Sequence, residues 1–106
     1  MILTNIENVP GRKTKAICGV VSGSTVRAKH MGKDILAGFK NAFGGEIKGY
    51  TELLEESRKE ATERMKKQAQ ILGANAIVNV RYATSAITVG AAEVFAYGTA
   101  IIVEEV

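Results

Sequence analysis

Cys18 and His30 are the residues of this chain best suited to bind a soft metal, and each occurs only once. Zinc and soft-metal sites use three or four Cys, His or carboxylate ligands at short spacings. Neither a CxxC nor an HxxxH motif is present, so a complete site within one chain is not expected. Several copies could still bring their Cys18 thiols together, or place Cys18 beside a neighbour's His30. The alternative is that Cys18 is a small core residue of an apolar strand.

A second candidate site is the glycine-rich segment before the long helix described below. Gly44 and the run Gly49-Tyr50-Thr51 have the glycine spacing and the final threonine of a phosphate-binding loop. Tyr50 replaces the lysine that such a loop needs, and a helix rather than a strand is predicted before it, which excludes a P-loop NTPase. The backbone N–H groups of Gly49, Tyr50 and Thr51 are still predicted to hold an anion weakly at the helix start.

Hydrolytic catalysis has little support in the residue types. The serines have only His30 as an imidazole base, and Asp34 is the only aspartate. A helical contact between His30 and Asp34 is conceivable, but it is equally an ordinary surface pair. We expect no enzymatic activity.

Size and composition indicate one soluble domain over residues 1–106, with 46% hydrophobic and 24% charged residues. No signal peptide and no apolar run of about 20 residues is evident, and a single cysteine forms no disulfide within the chain. These features favour the cytoplasm and no membrane contact.

Charge is unevenly distributed along the chain. Residues 1–50 hold eight Lys/Arg against three acids (+5), whereas residues 51–106 hold six against eight (−2). The basic half could attract phosphate-rich partners, or its lysines could simply form a solvated surface. No base-reading pattern is present, so sequence-specific binding of nucleic acid is not expected.

Apolar periodicity predicts the elements that position these residues. Spacings of three and four predict a short helix over about 34–43 and a long amphipathic helix over about 51–72, with Thr51 as its N-cap. The compact apolar run around Cys18 is typical of a strand covered on both faces. Strands are expected at Ile2–Thr4, Lys15–Ser22, Ala76–Thr84 and Ala91–Val103.

The last strand has two apolar faces. One face carries small residues suited to a helix, and the opposite face is also largely apolar, with Phe95, Tyr97, Thr99, Ile101 and Val103. One long helix covers only one side of a sheet, so this pattern predicts self-association. The alternative is that the short helix and the N-terminal segment cover the second face.

An ordered set of motifs resembles a known family. The set comprises Cys18-Gly19-Val20-Val21-Ser22-Gly23, Phe39-x3-Phe43-Gly44-Gly45, Gly49-Tyr50 with Glu52, and Gln68-Ala69-x2-Leu72-Gly73-Ala74-Asn75-Ala76-Ile77-Val78. It is similar to the YbjQ/UPF0145 family, generally named "putative heavy-metal-binding domain". The resemblance implies an α+β, dodecin-like β-α-β-β subunit. That subunit has a three-stranded antiparallel sheet, one long helix and a short extra helix, and it assembles into a ring that is pentameric in known members.

Together these observations predict a small homo-oligomer, of five chains by the resemblance, that binds a heavy metal or small ligand at its subunit interfaces. A soft metal ion is the expected cofactor, with Cys18 and His30 as its candidate ligands. The alternative is an oligomeric scaffold for a protein or an anionic partner, without a ligand of its own.

Overall fold

The computed structural model describes residues 1–28, 48–89 and 91–106 of the chain. The secondary structure in these segments consists of four strands and one helix. In chain order these are β1 (Ile2–Leu3), β2 (Arg12–Ala28), α1 (Lys48–Ile71), β3 (Ala76–Thr88) and β4 (Ala91–Glu105).

The strands form one mixed sheet in the order β1-β3-β4-β2. Strand β1 runs parallel to β3, whereas β4 pairs antiparallel with both β3 and β2. The N–H of Ile2 donates to the carbonyl of Asn75 at 3.1 Å, and the N–H of Thr4 donates to the carbonyl of Ile77 at 3.0 Å. These bonds add the N-terminal residues to the edge of β3.

The predicted fold class was therefore wrong in its sheet. A four-stranded mixed sheet replaces the expected three-stranded antiparallel sheet of a β-α-β-β subunit, because the strand predicted at Ile2 joins it as a parallel edge. The α+β class itself is consistent with the structure. The short extra helix expected over 34–43 lies outside the described residues.

Helix α1 begins at Lys48, three residues before the predicted N-cap, so Thr51 lies within its first turn. Its C-terminal end agrees with the sequence pattern. Gly73 has φ +83°, a conformation that favours glycine and ends a helix. The N–H of Ala74 bonds the carbonyl of Ala69 at 3.0 Å and completes the turn into β3.

The main core lies between α1 and one face of the sheet. Ala61, Met65 and Ala69 follow one another at four-residue spacing, and all three are fully buried. Because two of the three are alanines, the helix lies close to the strands. The sheet contributes Val21, Ile77, Val80, Val94, Ala96 and Ala100 to this cluster.

A second, smaller cluster lies apart from this core. It consists of Val9, Ala76, Val78, Ile101 and Val103, with Ile2 packed against it. Ile101 and Val103 belong to the face of β4 that the sequence placed away from the helix. The N-terminal segment therefore covers one end of that second face, which is one part of the alternative prediction; the short helix that forms its other part lies outside the described residues.

Candidate functional site

Strand β2 holds the candidate thiol at an irregularity of the sheet. The register between β2 and β4 shifts between Thr14 and Ala16 and again between Ile17 and Gly19, so Lys15 and Cys18 are extra residues without a direct partner. Gly19 has φ +136°, which a side chain would strain. The poor alternation in the sequence thus reflects two bulges.

The expectation that this strand is covered on both faces was wrong within the described structure. Ile17 is 75% exposed and Val20 is 77% exposed. Both belong to the edge strand of the sheet, on the face opposite to α1.

Cys18 is a free, half-buried cysteine. It packs against the cluster between α1 and the sheet, as a small core residue does. His30, the other predicted ligand, lies outside the described residues. No group of three or more His, Cys, Asp or Glu that could hold a metal occurs in the segments the structure describes. Within the described part of one chain, Cys18 is therefore not part of a group of three or more side chains that could bind a soft metal.

The predicted anion position falls at the start of α1. Gly49, Tyr50 and Thr51 are the second to fourth residues of this helix, and Thr51 is half-buried. Nothing else in the described structure tests this position, so it stays a prediction.

An exposed apolar surface lies on the face of the sheet opposite α1. We call it the apolar face; it comprises Ile17, Val20, Val26, Phe95 and Tyr97. Val26 is 58% exposed and Tyr97 is 39% exposed. The rings of Phe95 and Tyr97 stack with centroids 5.5 Å apart. The sequence predicted the β4 part of this surface but not the β2 part.

Two helix side chains occupy the outer edge of β2. The side-chain carbonyl of Gln68 accepts a 2.7 Å hydrogen bond from the N–H of Ser22, and the guanidinium of Arg64 donates to the carbonyl of Ser24. Arg64 and Gln68 are four residues apart on α1 and therefore lie on one side of it. Sequence reasoning missed this role, and the only signal was the spacing of two long polar side chains.

Two open grooves flank Tyr82 on β3. One, of about 620 Å³, lies between α1 and β3, where the Tyr82 hydroxyl and Thr62 Oγ1 are 2.8 Å apart. The other, of about 570 Å³, lies between Leu3–Asn5 and Val80–Tyr82. There the guanidinium of Arg81 already donates to the carbonyls of Asn5 and Val80.

Fold and surface define a small α+β protein with one helix on a mixed sheet and a solvent-exposed apolar face. Within the described part of the chain, no helix is long and apolar enough to cross a membrane. The family described as "Putative heavy-metal-binding" matches residues 1–104. The chain therefore belongs to the YbjQ/UPF0145 family, as its motifs predicted.

Relatives from distant organisms match over nearly their whole length. A UPF0145 protein of Hahella chejuensis is 61% identical over 104 residues, covering 98% of this chain and 100% of that one. One from Thermotoga maritima is 56% identical over 106 residues, covering 100% of both chains. One from Archaeoglobus fulgidus is 59% identical over 101 residues, covering 95% and 94%.

A solved structure supports the fold. The crystal structure of a protein of unknown function from Pediococcus pentosaceus, assigned to the DUF74 family, superposes with a TM-score of 0.69. It covers 98% of each chain at 22% sequence identity. At this identity the similarity concerns the fold alone.

Proposed function

We propose that this protein is a homo-oligomer, of five chains as the family resemblance implies, that binds a metal ion or small ligand at its subunit interfaces. The proposal assigns no catalytic activity to the chain and places it in the cytoplasm.

The observation that carries the proposal is the apolar face. Ile17 and Val20 are about three-quarters exposed, and further along the same face Tyr97 and Phe95 of β4 lie opposite Ser22 and Ser24. Scattered apolar side chains are normal on a protein surface, but a contiguous patch on a sheet typically marks an interaction site. A second copy of the chain is the simplest binding partner for the apolar face, because it carries an identical apolar surface.

The ligand part of the proposal rests on the family description and on Cys18. A thiol is a soft ligand, and a soft metal needs further ligands that one described chain does not group together. Association of several chains would supply them, either as repeated Cys18 thiols or as Cys18 with His30 of a neighbour.

Native mass spectrometry of protein purified without chelator or affinity metal tests the proposal. We expect an oligomer that carries additional metal or small-molecule mass, which is lost on unfolding. A monomer would contradict self-association. An oligomer without additional mass would contradict ligand binding and favour the second candidate.

The second candidate function is a scaffold for an anionic or protein partner. The start of β2 favours it, because Arg12, Lys13 and Lys15 are all exposed on the edge strand. Lys13 forms an ion pair with Glu104, with Nζ and Oε1 3.4 Å apart. If the protein is such a scaffold, reversing the charge of Arg12 and Lys15 should weaken its binding to an anionic polymer such as heparin. The number of chains in the oligomer should not change.

A further inference from the structure

The groove between the N-terminal segment and β3 contains a single charged side chain, that of Arg81. Its volume is about 570 Å³, and the residues that line it are Leu3, Thr4, Asn5, Val80, Arg81 and Tyr82. The groove therefore carries one positive charge and no negative one. The other groove, between α1 and β3, is different because two basic and two acidic side chains line it and their charges cancel.

The guanidinium of Arg81 is held in place through one of its nitrogens. Nη1 donates to the carbonyl of Asn5 at 2.7 Å and to the carbonyl of Val80 at 3.0 Å, which uses both of its N–H groups. Nε and Nη2 have no hydrogen-bond or ion-pair partner among the described residues. These two nitrogens form one edge of the guanidinium, and such an edge binds a carboxylate through two parallel hydrogen bonds.

A bulge of β3 comes directly before Arg81. The register between β3 and β4 shifts between Val78 and Arg81, which leaves Asn79 and Val80 without a direct partner in β4. Asn79 has φ +53°, in the left-handed region that residues other than glycine seldom adopt. Bulges are frequent next to functional sites, where they redirect a side chain. Here the residue that follows the bulge is the arginine whose side chain reaches the N-terminal segment.

Thr4 supplies a second hydrogen-bond donor to this groove. Its carbonyl accepts from the N–H of Val80 at 3.0 Å, and its Oγ1 accepts from the N–H of Ile6 at 3.2 Å. The hydroxyl hydrogen of Thr4 is therefore left to donate to a ligand. Because the carbonyls of Thr4 and Asn5 both have donors already, a ligand in the groove meets the unused donors of Arg81 and Thr4. This arrangement favours an anion.

Tyr82 and Leu3 give the groove an apolar wall. The hydroxyl of Thr62 donates to the carbonyl of Arg58 at 2.7 Å, so at the 2.8 Å contact between Tyr82 and Thr62 the tyrosine hydroxyl is the donor. This bond holds the Tyr82 ring in place, although the residue is 46% exposed. Leu3 is half-buried and packs against the main core. The groove thus combines a fixed cation with a fixed apolar surface.

We infer that this groove binds a small monocarboxylate with an apolar body. The carboxylate accepts hydrogen bonds from Nε and Nη2 of Arg81 and from the hydroxyl of Thr4, and the apolar body lies against Leu3 and Tyr82. A single positive charge matches a monoanion, whereas a phosphate monoester carries about two negative charges at neutral pH. The inference goes beyond the proposed function, because this site uses neither Cys18 nor the apolar face.

Saturation-transfer NMR on the full chain at low ionic strength tests the inference. Phenylacetate and hexanoate are the probes, with an aromatic and an aliphatic body, and phenylacetamide and hexanamide are their uncharged counterparts. We expect at least one acid to bind saturably and its amide to bind roughly tenfold more weakly, because the amide loses the charge-assisted hydrogen bonds. If neither acid binds, or if acids and amides bind equally, the inference is wrong.

Substitutions locate the binding in this groove. Arg81→Lys keeps the charge but cannot offer two parallel N–H groups, so we expect roughly tenfold weaker binding of the acid. Arg58→Lys is the matched change in the other groove and should leave the binding unchanged. Thr4→Val removes one donor at nearly constant size and should weaken binding by about threefold to tenfold. Far-UV circular dichroism checks that each variant is folded. Binding that survives both Arg81→Lys and Thr4→Val would overturn the inference.

The inference and the proposed function can fail separately. Native mass spectrometry reports the number of chains, whereas the titration reports the groove. If the protein is a monomer that binds the acid through Arg81, only the proposed self-association is wrong. If the oligomer forms and carries its metal but neither acid binds, only the groove is wrong.

Discussion

Gly23 of β2 lies directly against the backbone of α1 at Ala61. A methyl group added at Gly23 would fall inside van der Waals contact with the Ala61 carbonyl oxygen and the Met65 amide nitrogen. Here the helix and the strand touch backbone to backbone, with no side chain between them. The contact fixes the height of α1 above the sheet, and with it the positions of Arg64 and Gln68 along the edge of β2.

Gly23→Ala is therefore expected to destabilise the protein strongly. The obstructing atoms are backbone and cannot rotate away, so we expect a loss of about 3 kcal/mol or more in the free energy of unfolding. Urea unfolding at fixed chain concentration measures it. Ser24→Ala, at an exposed neighbour, should change the value by less than about 0.5 kcal/mol. A Gly23→Ala protein as stable as wild type would show that the helix can move away.

The side chain of Asn75 is expected to contribute to stability. Its Nδ2 donates to the carbonyl of Val103 at 2.9 Å, and its Oδ1 accepts from the N–H of Val103 at 2.8 Å, in the manner of a paired strand residue. Asn75→Ala leaves the backbone N–H and carbonyl of Val103, which is buried, without these partners. We expect the free energy of unfolding, measured with urea, to fall by about 1–3 kcal/mol. Asn8→Ala, at an exposed asparagine, is the control and should cost almost nothing.

Val20→Lys should weaken self-association. It places a charge on the apolar face at a position that is 77% exposed in the single chain, where association would have to desolvate it. We expect the particle to dissociate at chain concentrations where wild type remains assembled, as measured by light scattering after gel filtration. Gln70→Lys adds the same charge on the exposed side of α1 and should leave the assembly intact. If both variants assemble like wild type, another surface holds the oligomer together.

Cys18→Ser should remove bound soft metal without changing the oligomer. The serine hydroxyl is a poor ligand for soft metals and is close to the thiol in size. Elemental analysis alongside native mass spectrometry checks both quantities. Metal content that is unchanged in the variant would exclude Cys18 as a ligand.

The long helix and the two C-terminal strands could be predicted from the sequence. The helix has apolar spacing of three and four over more than 20 residues, and its end is marked by Gly73. The small residues Ala96 and Ala100 of β4 correctly identified the face on which it packs. These features are local in sequence, so pattern reasoning detects them.

The sheet edges could not be predicted in the same way. A strand as short as β1 has almost no periodicity, and its parallel pairing depends on backbone hydrogen bonds to β3 rather than on residue type. The bulges of β2 made an exposed edge strand resemble a buried one. Of the candidate site, sequence identified Cys18 and half of the apolar face, but not the polar side chains that close the edge of β2.

The two bulges also determine where β2 can change length. Deleting a residue elsewhere in a paired strand would turn every following side chain to the opposite face, whereas deleting Lys15 or Cys18 would only restore a regular ladder. Among relatives, single-residue gaps in this strand should therefore fall at these two positions. The only thiol of the chain lies at one of them, so relatives could lose it with little disturbance to the sheet.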